Sequence, residues 1–480
     1  MKYRFKSKPF KHQRRGLKRL WKQGSGALFW EPGTGKTKTA LDFAAALYLK
    51  EGGLKVLVLC PINAMQVWPA QMEKHLGVHQ STLIPQGKVI EKADQIREEI
   101  EWYGDRSSPL RFIILNYEAA IKRDKDWAIM QALEEYDADL LILDESQKVK
   151  SATAKRSKAT HRLGSRARHV CLLSGTPVSK NYLDLYSQLK VIDPKIWRDP
   201  VKGDAMSWTR FRYRYGMWGG RTGYELRGYQ NVEDLQERYR PWISTARKRD
   251  CLDLPPVTDE IIPVVMNKSA RSAYDSFAED GMVVWKRHLI DAPIVLTKLL
   301  RLQEMTSGSI HDELSEVVDF QRDKLAVLFS LVDDLMEAQE KVIIFARFKW
   351  ELNQIRDGLS RYGLVQIRGG ITAKGRKEAV DSFRKQDATR ILVIQIAAGE
   401  ALDGLQHACS HAIYYSTDYS WDHYVQSRGR LDRAGQKTPV TFYHLHMVNT
   451  IDGLVFKALR QKKNLEKLVM DDPELLVVDR

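Results

Sequence analysis

The chain has 480 residues, 43% apolar and 29% charged, which fits a soluble globular enzyme of two to four domains with sizeable cores. No apolar run reaches the eighteen or more residues that span a bilayer, the basic N-terminus has no apolar signal core, and four scattered cysteines without CxxC spacing argue against a zinc site or disulfide framework. The net charge of +15 attracts polyanions, of which nucleic acid is the commonest, although solubility alone also explains such a balance.

In chain order, "FWEPGTGKTKTALDF" (29–43) comes first, a glycine loop between an apolar run and a helical one. Gly33 and Gly35 permit the tight backbone that aims amide groups at phosphate oxygens, with Thr34 between them. Lys36 then reaches the β- and γ-phosphates, Thr37 ligands magnesium, and the helix N-terminus adds its positive dipole. Trp30 stands where the longer pattern has glycine, so the match is to the shorter GxGK[ST] form; the bland alternative is a turn capping a helix. Residues 37–49 read as that helix, with Leu41, Ala45 and Tyr48 on one face.

Continuous apolar runs at 55–61, 111–117, 139–145 and 169–175 suit parallel strands covered on both faces. The third, "DLLILDE", delivers Asp144 and Glu145 to the carboxyl edge of the sheet. Asp144 is placed to hold magnesium through water and Glu145 to orient or deprotonate the attacking water. The fourth ends in Ser174, Gly175, Thr176 and Pro177, either an ordinary turn or a relay of nucleotide state to a second ligand. Together, the loop and the acidic pair predict hydrolysis of a nucleoside triphosphate.

Residues 195–250 are rich in arginine and aromatics. Within them Arg210, Arg212, Arg214, Arg221 and Arg227 interleave with Trp208, Phe211, Tyr213, Tyr215, Trp218 and Tyr224, a nucleic-acid-binding composition. The alternative is a helical protrusion whose aromatics pack while its arginines stay solvated; packing is expected for most of the aromatics and DNA contact for several arginines, Arg212, Arg214 and Arg221 among them. "DLPPVTDEIIPVV" reads as a linker entering a strand, residues 270–338 as helices, and 340–346, 364–370, 390–396 and 411–417 as a second set of parallel strands. "YVQSRGRLDRAGQ" puts Arg430 and Arg433 on one face if it is helical, as arginine fingers or as a solvated basic face. Residues 451–470 read as a last basic helix.

The order of these stretches resembles superfamily-two helicase-like motors, and among them the Swi/Snf-type DNA translocases. The resemblance runs from "PFKHQRRGLKRL" through "EPGTGKT", "LVLCPINAMQVW", "ILNYE", "DESQ" and "LSGTP" to "QSRGRLDRAGQ", with "RPWISTARKRDCLDLPP" and "NTIDGLVFKALRQKKNLEKLV" similar to the family's linker and brace helix. "FRYRYG…GYELRGYQN" looks most like the annealing-helicase branch. The resemblance implies an α/β fold of two RecA-like doubly wound parallel-sheet lobes, with a helical Arg/aromatic-rich insertion between them. By position it assigns adenine to Gln13, phosphate to Lys36, magnesium to Thr37 and Asp144, hydrolysis to Asp144 and Glu145, and the finger role to Arg430 and Arg433. Pro61, Thr176 and Trp421 fall in stretches that face DNA in the family. Gln147 replaces a frequent histidine, and Gly399-Glu400 a double glycine.

The expected domains are 1–194 (first lobe), 195–255 (protrusion and linker), 256–448 (second lobe, with a helical insertion at about 270–338) and 449–480 (brace helix and tail). The expected function is an intracellular, monomeric, ATP- and Mg2+-dependent motor on double-stranded or branched DNA, in replication, recombination or repair. The rival readings are an RNA or single-strand helicase and an ATP-switched nucleic-acid clamp. No reader module is recognisable, as in a compact viral or prokaryotic protein.

Overall fold

The computed structural model describes residues 3–102, 109–121, 127–178, 181–220, 223, 225–292, 295–399, 402–459 and 461. Arg221, Tyr224 and Glu400 lie outside them, as does most of the expected brace helix, of which residues 451–459 are helical. The chain divides into two units, with the boundary between Leu252 and Asp253.

The first unit is built on β1 (Gly26–Trp30), β2 (Lys55–Cys60), β3 (Gln80–Leu83), β4 (Leu110–Asn116), β5 (Leu140–Asp144), β6 (His169–Ser174) and, after a hairpin of β7 (Gly216–Gly219) and β8 (Glu225–Tyr229), β9 (Ile243–Ala246). Seven of these strands form one parallel sheet in the order β3-β4-β2-β5-β6-β1-β9. Leu28, Val58, Ile142 and Leu173 enter the core on one face, and Phe29, Leu57, Leu143 and Leu172 enter it on the other. A strand covered on both sides must be apolar at every position, which is why these runs do not alternate. The carboxyl ends of β1, β6, β5 and β2 are neighbours, so the turns that follow them open along one edge, where ligands of open α/β sheets bind.

Helices α1 (Lys11–Gln23) and α2 (Lys36–Glu51) pack on the side of the sheet that carries Leu28 and Trp30. Gly16 lets α1 approach closely: a Cβ there would lie 2.4 Å from the Trp30 ring.

Part of the stretch expected to be a basic protrusion is sheet and core. β9 extends the sheet beside β1, and Trp197, Phe211 and Tyr215 are fully buried. The Phe211 ring centre lies 4.7 Å from that of Tyr186, tilted to it, and 4.8 Å from that of Trp197, edge to face. The aromatics therefore pack, as expected of most of them, because a large ring gains more from burial than from solvent.

The second unit carries β10 (Val257–Val264), the hairpins β11 (Met282–Trp285)/β12 (His288–Asp291) and β13 (Ser309–His311)/β14 (Val317–Asp319), then β15 (Val342–Ala346), β16 (Leu364–Ile367), β17 (Ile391–Gln395), β18 (His411–Tyr414) and β19 (Val440–Met447). Six of them form a second parallel sheet in the order β10-β19-β18-β15-β17-β16. The two hairpins correct the all-helical reading of 270–338; helices there are Lys268–Asp280, Val295–Ser307 and Asp323–Glu337. Sequence pattern hid the first hairpin because its turn is Lys286–Arg287, at φ of 48° and 71°, not the Asn-Gly that usually marks one. A left-handed conformation costs about 1–2 kcal/mol per non-glycine residue. Among the described residues no helix is long and apolar enough to cross a membrane.

Replacing Gly16 with alanine forces its Cβ into the Trp30 ring and is expected to cost about 1–3 kcal/mol. Urea unfolding of the purified variant beside wild type checks it, and an unchanged midpoint would count against the close packing described.

Candidate nucleotide and nucleic-acid sites

The loop between β1 and α2 turns through Gly33 and Gly35, at φ of 86° and 88°. A Cβ on Gly35 would come 2.2 Å from Gln13 Nε2, so glycine is required there twice over. The loop is fastened from α1: Gln13 Nε2 donates to the Thr34 carbonyl at 3.0 Å, and His12 Nε2 lies 2.8 Å from the same oxygen. The other end of the Gln13 amide accepts from Phe10 N at 3.0 Å. Gln13, assigned to adenine by resemblance, is buried here, its amide nitrogen bracing the phosphate loop and its amide oxygen capping the start of α1.

Lys36 Nζ donates to the Trp30 carbonyl at 2.8 Å. Burial lowers its pKa, opposed by the nearby carboxylates of Glu145 and Asp144. Thr37 sits in the first turn of α2, and its hydroxyl makes no hydrogen bond among the described residues.

Asp144 closes β5. Burial, then the neighbouring Glu145, push its carboxyl up to about 7, against hydrogen bonds that favour the ionised form. Trp68 supplies one of these, its Nε1 donating to Asp144 Oδ2 at 3.1 Å, and Glu145 N donates to Oδ1 at 3.1 Å. Tyr117 Oη donates to the Asp144 main-chain oxygen at 2.9 Å. Two crowded carboxylates facing one ammonium, beside a free threonine hydroxyl, are a donor set suited to Mg2+, a hard cation that prefers oxygen ligands. Asp144 and Thr37 would hold it.

Glu145, in a left-handed conformation at φ 53°, begins a chain of hydrogen bonds. Gln147 Nε2 donates to Glu145 Oε2 at 2.7 Å, Ser174 Oγ donates to Gln147 Oε1 at 2.6 Å, and Thr176 N donates to Ser174 Oγ at 3.1 Å. The acidic pair after β5 is thus tied to the turn after β6. Gly175 keeps that turn against the phosphate loop, since a Cβ there would lie 2.9 Å from the Pro32 ring and 3.5 Å from Lys36 Nζ. Thr176 is buried, and its hydroxyl has no hydrogen-bond partner among the described residues. The sequence pattern assigned no individual role to Trp68 or Tyr117, although both lie in stretches that carry the family resemblance, "LVLCPINAMQVW" and "ILNYE".

In the second unit, Arg430 and Arg433 are not on a helix. The helix Trp421–Arg428 ends at Gly429, a residue that disfavours helix, and both arginines lie in the turns that follow. They nevertheless converge: Arg430 Nη1 donates to the Leu402 carbonyl at 2.9 Å, and Arg433 Nη1 pairs with Asp403 Oδ1 at 2.6 Å. Gln395, near the departure at Gly399, bridges two loops, donating to the Arg347 carbonyl at 3.1 Å and accepting from Gly369 N at 2.9 Å.

The residues expected to face DNA are mostly occupied. Pro61 is buried, leaving Ile62 as the exposed residue of that turn, at 65%. Trp421 is buried as well. Arg214 pairs with Asp234 at 3.0 Å, and Arg210 pairs with Asp199 and Asp204. Arg212 lies over the Trp218 ring at 4.3 Å. Arg210 and Arg214 are neutralised by acids of their own segment, and Arg212 packs on an aromatic ring of it.

Comparison with known proteins matches residues 12–311 to the SNF2-related domain and residues 323–435 to the helicase conserved C-terminal domain. The chain is 26% identical over 447 residues to the DNA annealing helicase and endonuclease ZRANB3 of Mus musculus, covering 90% of this chain and 38% of that protein. It is 22% identical over 468 residues to the chromodomain-helicase-DNA-binding protein 6 of Mus musculus, covering 92% of this chain and 16% of that one. The chain thus spans well under half the length of these curated relatives. Among solved structures it is similar to the Sulfolobus solfataricus SWI2/SNF2 ATPase core in complex with dsDNA, at 18% identity, with 100% of this chain and 97% of that one covered; the TM-score of 0.44 gives that likeness no weight.

The raised pKa of Asp144 means that the folded state holds this proton more tightly than the unfolded chain does. The stability it contributes is full below about pH 4 and is lost as pH rises through 7. Asp144→Asn is therefore expected to raise the melting temperature at pH 8 by about 2–4 °C, the shift that about 1 kcal/mol produces in a unit of this size. At pH 5, only part of the way from the ordinary carboxyl value to 7, the gain should be smaller. Calorimetry of nucleotide-free protein at both pH values checks this.

Proposed function

The chain belongs to the SNF2-related family, and from that premise we propose that it is a DNA-stimulated ATPase that moves along double-stranded DNA. The observation that best supports coupling of hydrolysis to movement is the unbroken hydrogen-bond path Glu145–Gln147–Ser174–Thr176. A change in the bonding of the Glu145 carboxylate on hydrolysis reaches a buried turn through side chains alone, without rearrangement of the sheet.

In this reading ATP lies on the Gly33–Thr37 loop. Lys36 leaves the Trp30 carbonyl for the β- and γ-phosphates. Mg2+, held by Thr37 and Asp144, supplies charge neutralisation at the phosphate oxygens when bound. Glu145 accepts the proton of the attacking water. Arg430 and Arg433 are assigned to the negative charge that develops on the transferred phosphoryl group, and they must exchange their bonds to Leu402 and Asp403 to do so. Contacts to DNA are chiefly to phosphate, so sequence preference is slight. A role in remodelling or annealing branched DNA is the finer reading, supported as to annealing by the similarity to the DNA annealing helicase and endonuclease ZRANB3, and replication, recombination or repair is its setting.

One assay separates this from the rivals: ATP turnover with duplex, forked and single-stranded DNA and with RNA, beside displacement of a third strand from a triplex. Duplex is expected to stimulate most, with triplex displacement dependent on ATP. Stimulation by single strands or RNA alone would sink the proposal. Glu145→Gln should bind ATP yet lose about 10²–10⁴-fold in turnover, and Arg430→Ala about 10³-fold or more. Gln147→Ala is expected to keep DNA-independent turnover within about threefold while losing most of the stimulation by DNA, since a lost neutral hydrogen bond is worth only about 1 kcal/mol. Equal loss of both rates would place Gln147 in hydrolysis and not in coupling.

A further inference from the structure

Residues 1–30 contain ten lysines and arginines and no acid, in a chain whose net charge is +15. Arg210 and Arg214 of the arginine-rich stretch are paired with acids, as is Arg227, which meets Glu225 at 2.5 Å. The cations of α1 are not. Helix geometry sets Lys11, Arg14, Arg15, Lys18 and Lys22 within an arc of about 100° and along about 16 Å of the axis. All five are exposed, and none of these side chains has a hydrogen-bond or ion-pair partner among the described residues.

The opposite face of α1, with His12, Gln13, Leu17 and Leu20, is buried. The elements that pack most closely on it are α2, β1 and β9. Their acids, Asp42 and Glu51 of α2, are already paired, with Lys38 at 2.5 Å and with Arg168 at 2.7 Å. Just beyond β1 the Glu31 carboxylate accepts from Lys248 N at 2.8 Å, and beyond β9 Asp250 pairs with Arg249 at 3.6 Å. Arg19, at the edge of the stripe, is bonded to the carbonyls of Arg240 and Pro241, which leave its charge in place.

This arrangement works against the helix. Like charges four residues apart, as in Lys11/Arg15, Arg14/Lys18 and Lys18/Lys22, repel one another. Lys11 and Arg14 also stand in the first turn, at the positive end of the macrodipole, with no acid there to offset them. Local costs of this kind belong to functional sites. A line of cations free of acids suits a linear polyanion, and duplex nucleic acid presents one charge per about 1.7 Å of its axis. A bilayer suits it less, because an interfacial helix inserts its apolar face and Leu17 and Leu20 of that face are in the core.

We propose that the outer face of α1 is a nucleic-acid-binding surface, with the cations from Lys11 to Lys22 on backbone phosphates of double-stranded DNA. The proposal rests on the motor reading for the identity of the track, and adds a grip on it outside the stretches at Pro61, Thr176 and Trp421. The same helix braces the phosphate loop through His12 and Gln13 on the Thr34 carbonyl, so DNA held there bears on the nucleotide site.

The experiment measures binding of the full chain to linear duplex DNA of mixed sequence across a salt series, with no nucleotide present. One variant carries Arg14→Gln, Lys18→Gln and Lys22→Gln, exposed positions where glutamine keeps the helix. A second carries Lys88→Gln, Lys195→Gln and Lys202→Gln, exposed lysines outside α1 whose loss changes the net charge equally. The α1 variant is expected to bind about tenfold more weakly, with a salt slope smaller by about 3. Its melting temperature should be unchanged or higher, since repulsion within the helix is relieved. The second variant should keep a slope within about 1 of wild type. Equal changes in the two variants would overturn the proposal, as a mere effect of net charge. Unchanged affinity and slope in the α1 variant would overturn it too, as the result of a solvated face or of one that docks an acidic protein. Failure of the motor reading shows separately, as wild type whose ATP turnover no DNA stimulates.

Discussion

The structure of the first unit turns on one electrostatic constraint. Asp144 and Glu145 are brought together at the end of a strand buried on both faces, with the ammonium of Lys36 as the nearby cation. Charge held in such a place is costly unless it is bonded on every side. The surroundings meet that demand with neutral donors: the indole of Trp68 on one carboxylate and the amide of Gln147 on the other. The excess of negative charge that remains is what makes the edge receptive to a cation and, through Lys36, to phosphate.

The strand order makes this economical. Because β1, β6, β5 and β2 are adjacent, the phosphate loop, the turn at Ser174–Thr176, the acidic pair and the turn at Pro61 share one edge without any long-range loop. Gly175 fits between them because anything larger would strike Pro32. In the second unit the same economy appears at Leu402–Asp403, where one short segment accepts from two arginines by a carbonyl and a carboxylate. A segment of that kind can exchange one bond without losing the other.

The parts of the fold legible in the sequence were those written in local pattern. The phosphate loop and the "DLLILDE" strand announce themselves because glycines, a lysine and an acidic pair follow apolar runs at fixed spacing. What stayed hidden depends on partners far along the chain. Trp68 lies 76 residues from the carboxylate it binds, and Ser174 lies 27 from Gln147. Arg214 reads as a phosphate contact until Asp234 is found beside it. A helix would have set Arg430 and Arg433 on one face; the helix before them ends at Arg428, and the two instead meet neighbouring residues, Leu402 and Asp403. The first hairpin of the second unit escaped because its Lys286–Arg287 turn lacks the residues that ordinarily signal one.

Glutamine at position 147 has a chemical consequence of its own. An imidazole there would gain or lose a proton close to neutrality and switch between acceptor and donor as it did. A carboxamide keeps one donor end and one acceptor end at every physiological acidity, so the link from Glu145 to Ser174 has a fixed polarity. Acidification of the surrounding medium leaves that link unchanged, because the carboxamide itself does not titrate.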